Sequence, residues 1–270
     1  MESAIAQAMS TEPFFRRDGD FYQPTPSSRG PWNPTSLHGR VVAGLLAHAI
    51  EQRFGDADFM PARFTIDMYR LPDIVTPAAV RVTPVREGNR VKVIDAEYVV
   101  NGVSMARAIC LFMRKSENPE GEIWSPPNWD APLPDQIEPP ADNRGGMGGM
   151  WNTRSIRGGF GETGAHKRLW MSDFRDCVGG EPLTPFVRAA LAADFASPFA
   201  NSGDKGLSYI NADITLYLDR LPTTEWIGFE TMNHQATAGV SIAECWLYDE
   251  TGPIGTSSVA ALGQRRTPRG

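Results

Sequence analysis

The sequence predicts an α+β fold made of two copies of one unit, each an apolar helix wrapped by an antiparallel sheet. Three observations carry this. Phe64–Pro72 (FTIDMYRLP) is matched by Ile214–Pro222 (ITLYLDRLP), both ending in Arg-Leu-Pro, roughly 150 residues apart. That spacing is too long for a solenoid repeat and suits a duplicated domain. An Ala-rich apolar helical segment precedes each copy, and a long Val-rich alternating run follows each. A helix apolar on every face has to be wrapped, and a curved antiparallel sheet does that.

In chain order, Ser36 reads as the N-cap of LHGRVVAGLLAHAIEQRF, which puts His38 and Gly39 in the first helical turn. The β-run that follows carries Asn101-Gly102, a strong two-residue hairpin signal. Ser116–Gly164 is dense in Pro and Gly and has no period, so it reads as a long surface connection pinned by Trp124, Trp129 and Trp151. In the second unit Thr184 caps LTPFVRAALAADFASPF with Pro185 at the first helical position, and Asp194 falls in the last turn. The closing β-run turns at Asp249–Gly252 (DETG). Each unit is thus a short strand, a helix and about four long strands. The division is 1–115, a linker 116–164, and 165–270.

The chain is 41% hydrophobic and 21% charged, with a net charge of −6. No basic surface is implied, which excludes a general nucleic-acid binder. Three widely separated cysteines, Cys110, Cys177 and Cys245, suggest reduced thiols and a cytoplasmic protein. No leader-like N-terminus and no apolar run long enough for a membrane span is read, and QRRTPRG reads as a frayed tail.

The segments AADFASPF, INADITLYLDRLP and TEWIGFETMNHQATAGVSIAECWLYDETGPIGTSSVAALGQR, with SLHGRVVAGLLAHAIE in the first unit, resemble the acyl-CoA thioesterase II-like family. The resemblance implies a double hotdog fold, hydrolysis of a small-molecule acyl-CoA and a homo-oligomer. No cofactor is implied, coenzyme A entering as part of the substrate. It also implies a water oriented by an Asp, a Thr or Ser, and a Gln. These fall on Asp194, Asn211 and Ala260. Asn211 still donates and accepts, whereas Ala260 holds no water. Ser257 or Ser258 would compensate, or Gln264 with a slipped register.

Thioester hydrolysis needs an activated water and a seat for negative charge on the carbonyl oxygen. Asp194 sits among Ala192, Ala193, Phe195 and Ala196, a setting expected to raise its pKa and strengthen it as a base. The helix start at His38 and Gly39 offers free N–H groups as oxyanion donors. The first unit has Gly44 or Leu46 opposite Asp194, depending on register, so one site per chain is expected. His48 reads as a core or surface histidine, and His166 and His234 as loop residues. No histidine has metal-ligand spacing with Cys or carboxylates, so no metal is expected. Arg40, Arg63, Lys167 and Arg168 read by default as surface charge. Gly159–Gly164 (GFGETG) matches a dinucleotide pattern but lacks the preceding strand. Ala260 keeps open a non-catalytic acyl-CoA or hydrophobic-ligand binding protein. A hydratase is disfavoured because no His follows Asp194 closely.

Overall fold

The computed structural model describes residues 12–125, 128–140, 149–164 and 166–264. The leader and tail expectations fall largely outside them. In the first half a short hairpin, β1 (Phe15–Asp18) and β2 (Phe21–Pro24), precedes helix α1 (Gly39–Phe54). Four long strands follow: β3 (Phe59–Met68), β4 (Ala78–Glu87), β5 (Val91–Val100) and β6 (Val103–Arg114). The second half repeats this with β7 (Asn152–Arg157) and β8 (Arg168–Ser172), then helices α2 (Pro185–Ala193) and α3 (Ala196–Asn201). Three short strands come next: β9 (Ser202–Gly203), β10 (Gly206–Leu207) and β11 (Tyr209–Asn211). The long ones are β12 (Asp213–Leu218), β13 (Trp226–Thr237), β14 (Val240–Asp249) and β15 (Gly252–Gly263).

All but β9 and β10 join one antiparallel sheet of 13 strands, ordered β1-β2-β4-β5-β6-β3-β12-β15-β14-β13-β8-β7, with β11 beside β15. The order reads the same from either edge once each strand is exchanged for its counterpart. The two copies of the Arg-Leu-Pro strand, β3 and β12, pair at the centre, Ile66 opposite Ile214 and Phe64 opposite Leu216. The two units' sheets thus lie side by side as one continuous sheet. Main-chain hydrogen bonding between β3 and β12 removes two edges that would otherwise be left open.

Alternation sets which face is dry. Ile214, Leu216 and Leu218 are buried while Tyr217 is exposed, so the helices cover one face only. Residues 40–50 of α1 are buried without a break, as an all-apolar helix requires. Helices α1 and α2 pack directly on each other. Gly44 permits the close contact, since an added Cβ would lie 2.5 Å from Leu191 Cδ2.

The local signals divide. Thr184 caps α2, its hydroxyl accepting from Val187 N–H at 3.2 Å, with Pro185 next. Asn101 and Gly102 both adopt positive φ in the β5–β6 turn, as that dipeptide demands. Each Arg-Leu-Pro arginine reaches the hairpin turn of its own half: Arg70 donates to Ser104 O, and Arg220 forks onto Asp249 at 2.7 Å. Ser36 does not cap α1, however. Its Oγ accepts from Asn33 N–H, and His38 occupies the cap. The linker is also shorter than expected, because 152–157 pair with β8. Trp129 stacks on Tyr248 at 4.4 Å and Trp151 is buried, but Trp124 is exposed and pins nothing. The three cysteines are free and buried.

Candidate active site

Asp194 follows the last residue of α2. Its φ and ψ remain helical (−62°, −25°), but Phe195 N–H bonds Ala192 O and Ser197 N–H bonds Asp194 O, tighter spans than an α-helix uses. The axis therefore breaks at this residue and α3 restarts at Ala196. Ser257 supports the break: its buried hydroxyl donates to Ala193 O at 2.7 Å.

Asp194 is 3% exposed, and its carboxylate is held from two sides. Asn211 Nδ2, at the end of β11, donates to Oδ1 at 2.9 Å. His38 Nδ1 lies 3.3 Å from Oδ2, and equally 3.3 Å from the Arg40 amide nitrogen. One nitrogen cannot donate to the first and accept from the second. The charge-assisted contact is the stronger, so the ring proton belongs on Nδ1, facing Asp194. Gly39 lets the helix start close on the carboxylate: a Cβ there would lie 3.0 Å from Asp194 Oδ1 and 3.2 Å from Met68 Sδ, so those side chains would have to give by a few tenths of an ångström. In the first turn of α1 the His38 N–H is taken by Ser28 O and the Val41 N–H by His38 O, which leaves those of Gly39 and Arg40 for a ligand.

Burial pushes the Asp194 carboxyl upward, but the His38 contact, the Asn211 donor and the Arg40 charge outweigh it, and the group sits below the ordinary carboxylate value. The expected rise is thus reversed. Arg40 is not the surface charge expected by default: it is 1% exposed. Its Nη2 binds both oxygens of Asp173 at 2.6 and 2.8 Å, and its guanidinium lies 4.5 Å over the Trp151 ring. Trp151 in turn meets His38 edge-on at 6.0 Å. A linker tryptophan therefore walls the site and fixes the histidine ring. The signal for Arg40 was available, since a charge in an apolar helix raises the same question as Asp194.

A cavity of about 360 Å³ opens beside these groups. His38, Gly39, Asp194 and Asn211 line it together, and Val42, Phe160 and Leu207 are among its apolar walls. Four of the six expected site residues thus converge. Ser257 is tied to Ala193, and Ser258 lies on the opposite face with Glu244 at 3.4 Å, so neither lines the cavity. Ala260 shares the outer face with Ser258, its amide donating to Asp213 Oδ1 at 2.5 Å. Two further expectations are corrected. Lys167 is buried, with Nζ donating to Phe199 O and Ser202 O, and His234 lies in β13. Among the described residues no group of three or more His, Cys, Asp or Glu has a metal-binding arrangement, and no helix is long and apolar enough to cross a membrane.

Comparison with known proteins gives the class of fold first. A conserved protein with hot dog fold from Alicyclobacillus acidocaldarius superposes with a TM-score of 0.74 at 17% identity, over 96% of this chain and 99% of that one. The tesB protein of Mycobacterium avium subsp. paratuberculosis gives 0.68 at 15%, over 97% and 99%. Acyl-CoA thioesterase II TesB2 of Mycobacterium marinum gives 0.63 at 13%, over 98% and 99%. At these identities the likeness is one of fold. No curated protein matches in sequence. Residues 28–113 match the acyl-CoA thioesterase N-terminal domain and residues 125–261 the C-terminal domain. The chain belongs to the acyl-CoA thioesterase family.

Proposed function

We propose that this chain hydrolyses acyl-CoA thioesters with a water held by Asp194, on a double hotdog whose two units share the continuous sheet. One observation carries the reading: a buried carboxylate, fixed by Asn211 and His38, lining a mostly apolar cavity and against a glycine helix start. Its pKa keeps it ionised at neutral pH, and a carboxylate bonded to two donors still has lone pairs for a water. A positioned base of this kind contributes roughly 10²–10⁴-fold. The α1 N-terminus supplies N–H donors for the oxyanion, each worth about 3–4 kcal/mol. The acyl chain occupies the apolar cavity. Ser257 acts by holding the end of α2, a positioning role in place of the direct contact expected from the sequence. The buried free thiols support a cytoplasmic location, and the family resemblance supports a homo-oligomer.

Thiol release from a panel of acyl-CoAs tests the reading, with Asp194→Asn as control. Turnover that survives this substitution removes Asp194 from the mechanism. A specific observation favours a second reading, a non-catalytic acyl-CoA binder: the depressed pKa makes Asp194 a weak base, and no Gln is among the described residues that line its cavity. Tight acyl-CoA binding without turnover on any chain length selects that reading.

A further inference from the structure

A charge closed inside an apolar helix start needs a reason, and the fold supplies none for Arg40. It stands two residues after the α1 cap His38. Two residues after the α2 cap Thr184 stands Phe186, fully buried and edge-on to Phe64 and Phe112 at 5.5 and 6.4 Å. Asp173, the partner of Arg40, directly follows β8. The counterpart of β8 is β2, which is directly followed by Thr25. Thr25 is buried as well, but its hydroxyl donates to Pro13 O at 2.6 Å. The duplicated backbone thus closes without an ion pair in one half and carries one in the other.

The pair is also poorly satisfied where it stands. Both partners are buried, and of the guanidinium only Nη2 reaches the carboxylate. Nε and Nη1 have no hydrogen-bond partner among the described residues. Apolar residues of similar volume often match or exceed such a buried pair in stability. What the pair touches is the site. The guanidinium lies over the Trp151 ring at 4.5 Å, with Phe14 at 5.6 Å. Trp151 Nε1 has no partner among the described residues, so no hydrogen bond sets the turn of the indole. The cation on its face sets it, with edge contacts to His38 at 6.0 Å and Phe195 at 5.5 Å. His38 meets Asp194 Oδ2, and Phe195 is the next residue in the chain. The Arg40 charge also helps to hold the Asp194 carboxyl down, after His38 and Asn211. The titratable groups that face Arg40 are Asp173, Asp194 and the Cys177 thiol, which burial pushes up and keeps neutral. The Arg40 side chain is not part of the cavity lining, so it reaches a bound ligand only through these neighbours.

We propose that the Arg40–Asp173 pair is a positioning element of the candidate site: the guanidinium fixes Trp151, Trp151 fixes the His38 ring on Asp194, and Asp173 anchors the cation from the second half. The kinetic consequence rests on the hydrolase reading, while the effect on the His38 ring stands apart from turnover.

The double variant Arg40→Met/Asp173→Leu tests it in the full chain, since it removes both charges and leaves neither buried alone. Its melting temperature is expected at or above that of the parent. In a thiol-release assay kcat falls about ten- to 100-fold, with a smaller change in KM. The acid limb of kcat/KM moves to higher pH, as loss of a cation near a carboxylate requires. Arg40→Lys keeps the charge but not the flat contact with Trp151, so kcat falls while the acid limb stays. This variant also serves if the double variant does not fold. NMR signals of the His38 ring report its setting without substrate and shift in both variants. A merely structural pair lowers the melting temperature and leaves the kinetics per folded molecule, the acid limb and the His38 signals as in the parent, and that result overturns the proposal. Failure of the hydrolase reading registers separately, as absent thiol release from acyl-CoA by the parent, and the His38 signals then decide the proposal alone.

Discussion

The twofold arrangement of the sheet creates two helix crossings of the same kind, and they hold different chemistry. At one, the α1 cap His38 faces Asp194, which stands ten residues after the α2 cap Thr184. At the other, Thr184 donates to Glu51, and His48, ten residues after His38, meets Glu181 at 3.2 Å. At the first crossing donors and positive charge hold a carboxylate below its ordinary pKa. At the second, burial raises Glu51 against the Thr184 bond and lowers His48 against Glu181, so both drift toward their neutral forms. The strands follow suit. Counted back from the Arg-Leu-Pro anchors, Asn211 corresponds to Pro61, and the partner of Ile66 on β6 is Ala108 where that of Leu216 on β15 is Ser257. Duplication supplied the backbone twice. Side chains turned one crossing into a candidate site and the other into a helix clamp.

The comparison breaks most directly at its two carboxylates. Asp194→Asn removes the water-holding group and lowers kcat roughly 10²–10⁴-fold in a thiol-release assay. Glu51→Gln leaves kcat near that of the parent, because Glu51 serves only the clamp. Equal losses from both would make the crossings equivalent and refute the assignment.

The two glycines of α1 separate site from clamp a second way. Gly39→Ala presses a methyl group on Asp194 Oδ1 and is expected to lower kcat/KM roughly 10–100-fold with little change in melting temperature. Gly44→Ala presses on the buried Leu191 instead. Overpacking costs about 1–3 kcal/mol and outweighs a helix-propensity gain of about 1 kcal/mol. It lowers the melting temperature by a few degrees, leaving activity per folded molecule near that of the parent.

Acid titration sharpens the same contrast. Asp194 has a depressed folded pKa, so the stability it contributes is present above its unfolded value near 3.9 and is lost as pH falls through the lower folded value. The acid limb of kcat/KM therefore lies below the usual carboxylate range. The groups that face Asp194 are His38, Asn211 and Arg40, and Arg40 is paired with Asp173. His38→Ala removes the leading contribution that opposes burial, and the acid limb moves to higher pH. An unmoved limb would assign it to another group.

Much of this was legible in the chain. Each half has the four expected long strands, because alternation and Asn-Gly or Asp-rich turns act locally. Asp194 stood out because a carboxylate in an apolar helix demands a partner. The cap of α1 was misplaced by two residues, since Ser36 fits the cap rule and only the tertiary contact with Asp194 selects His38. The sign of the Asp194 shift was hidden for the same reason: burial is legible from neighbours in sequence, while His38 and Arg40 arrive from 150 residues away. The role of Trp151 needed the fold, because nothing in a Pro- and Gly-rich stretch announces which aromatic turns inward.

The smallest effect is expected on β15, where the two adjacent serines face opposite ways. Ser257→Ala removes the hydroxyl that holds Ala193 O and leaves that carbonyl without its side-chain donor. The net worth of such a bond is about 1 kcal/mol, which shifts the melting temperature of a chain this long by about 2–4 °C. Ser257 also fixes the residue just before Asp194, so kcat drops with stability while KM stays level. Ser258→Ala, on the far face at 3.4 Å from Glu244, changes stability by no more than about 0.5 kcal/mol and leaves kcat alone. The first half tests the logic, for Ala108 already stands where Ser257 does and α1 needs no such tie: its run of buried residues continues unbroken where α2 ends. Equal kinetic effects from the two serine variants would show that the end of α2 is held by packing alone.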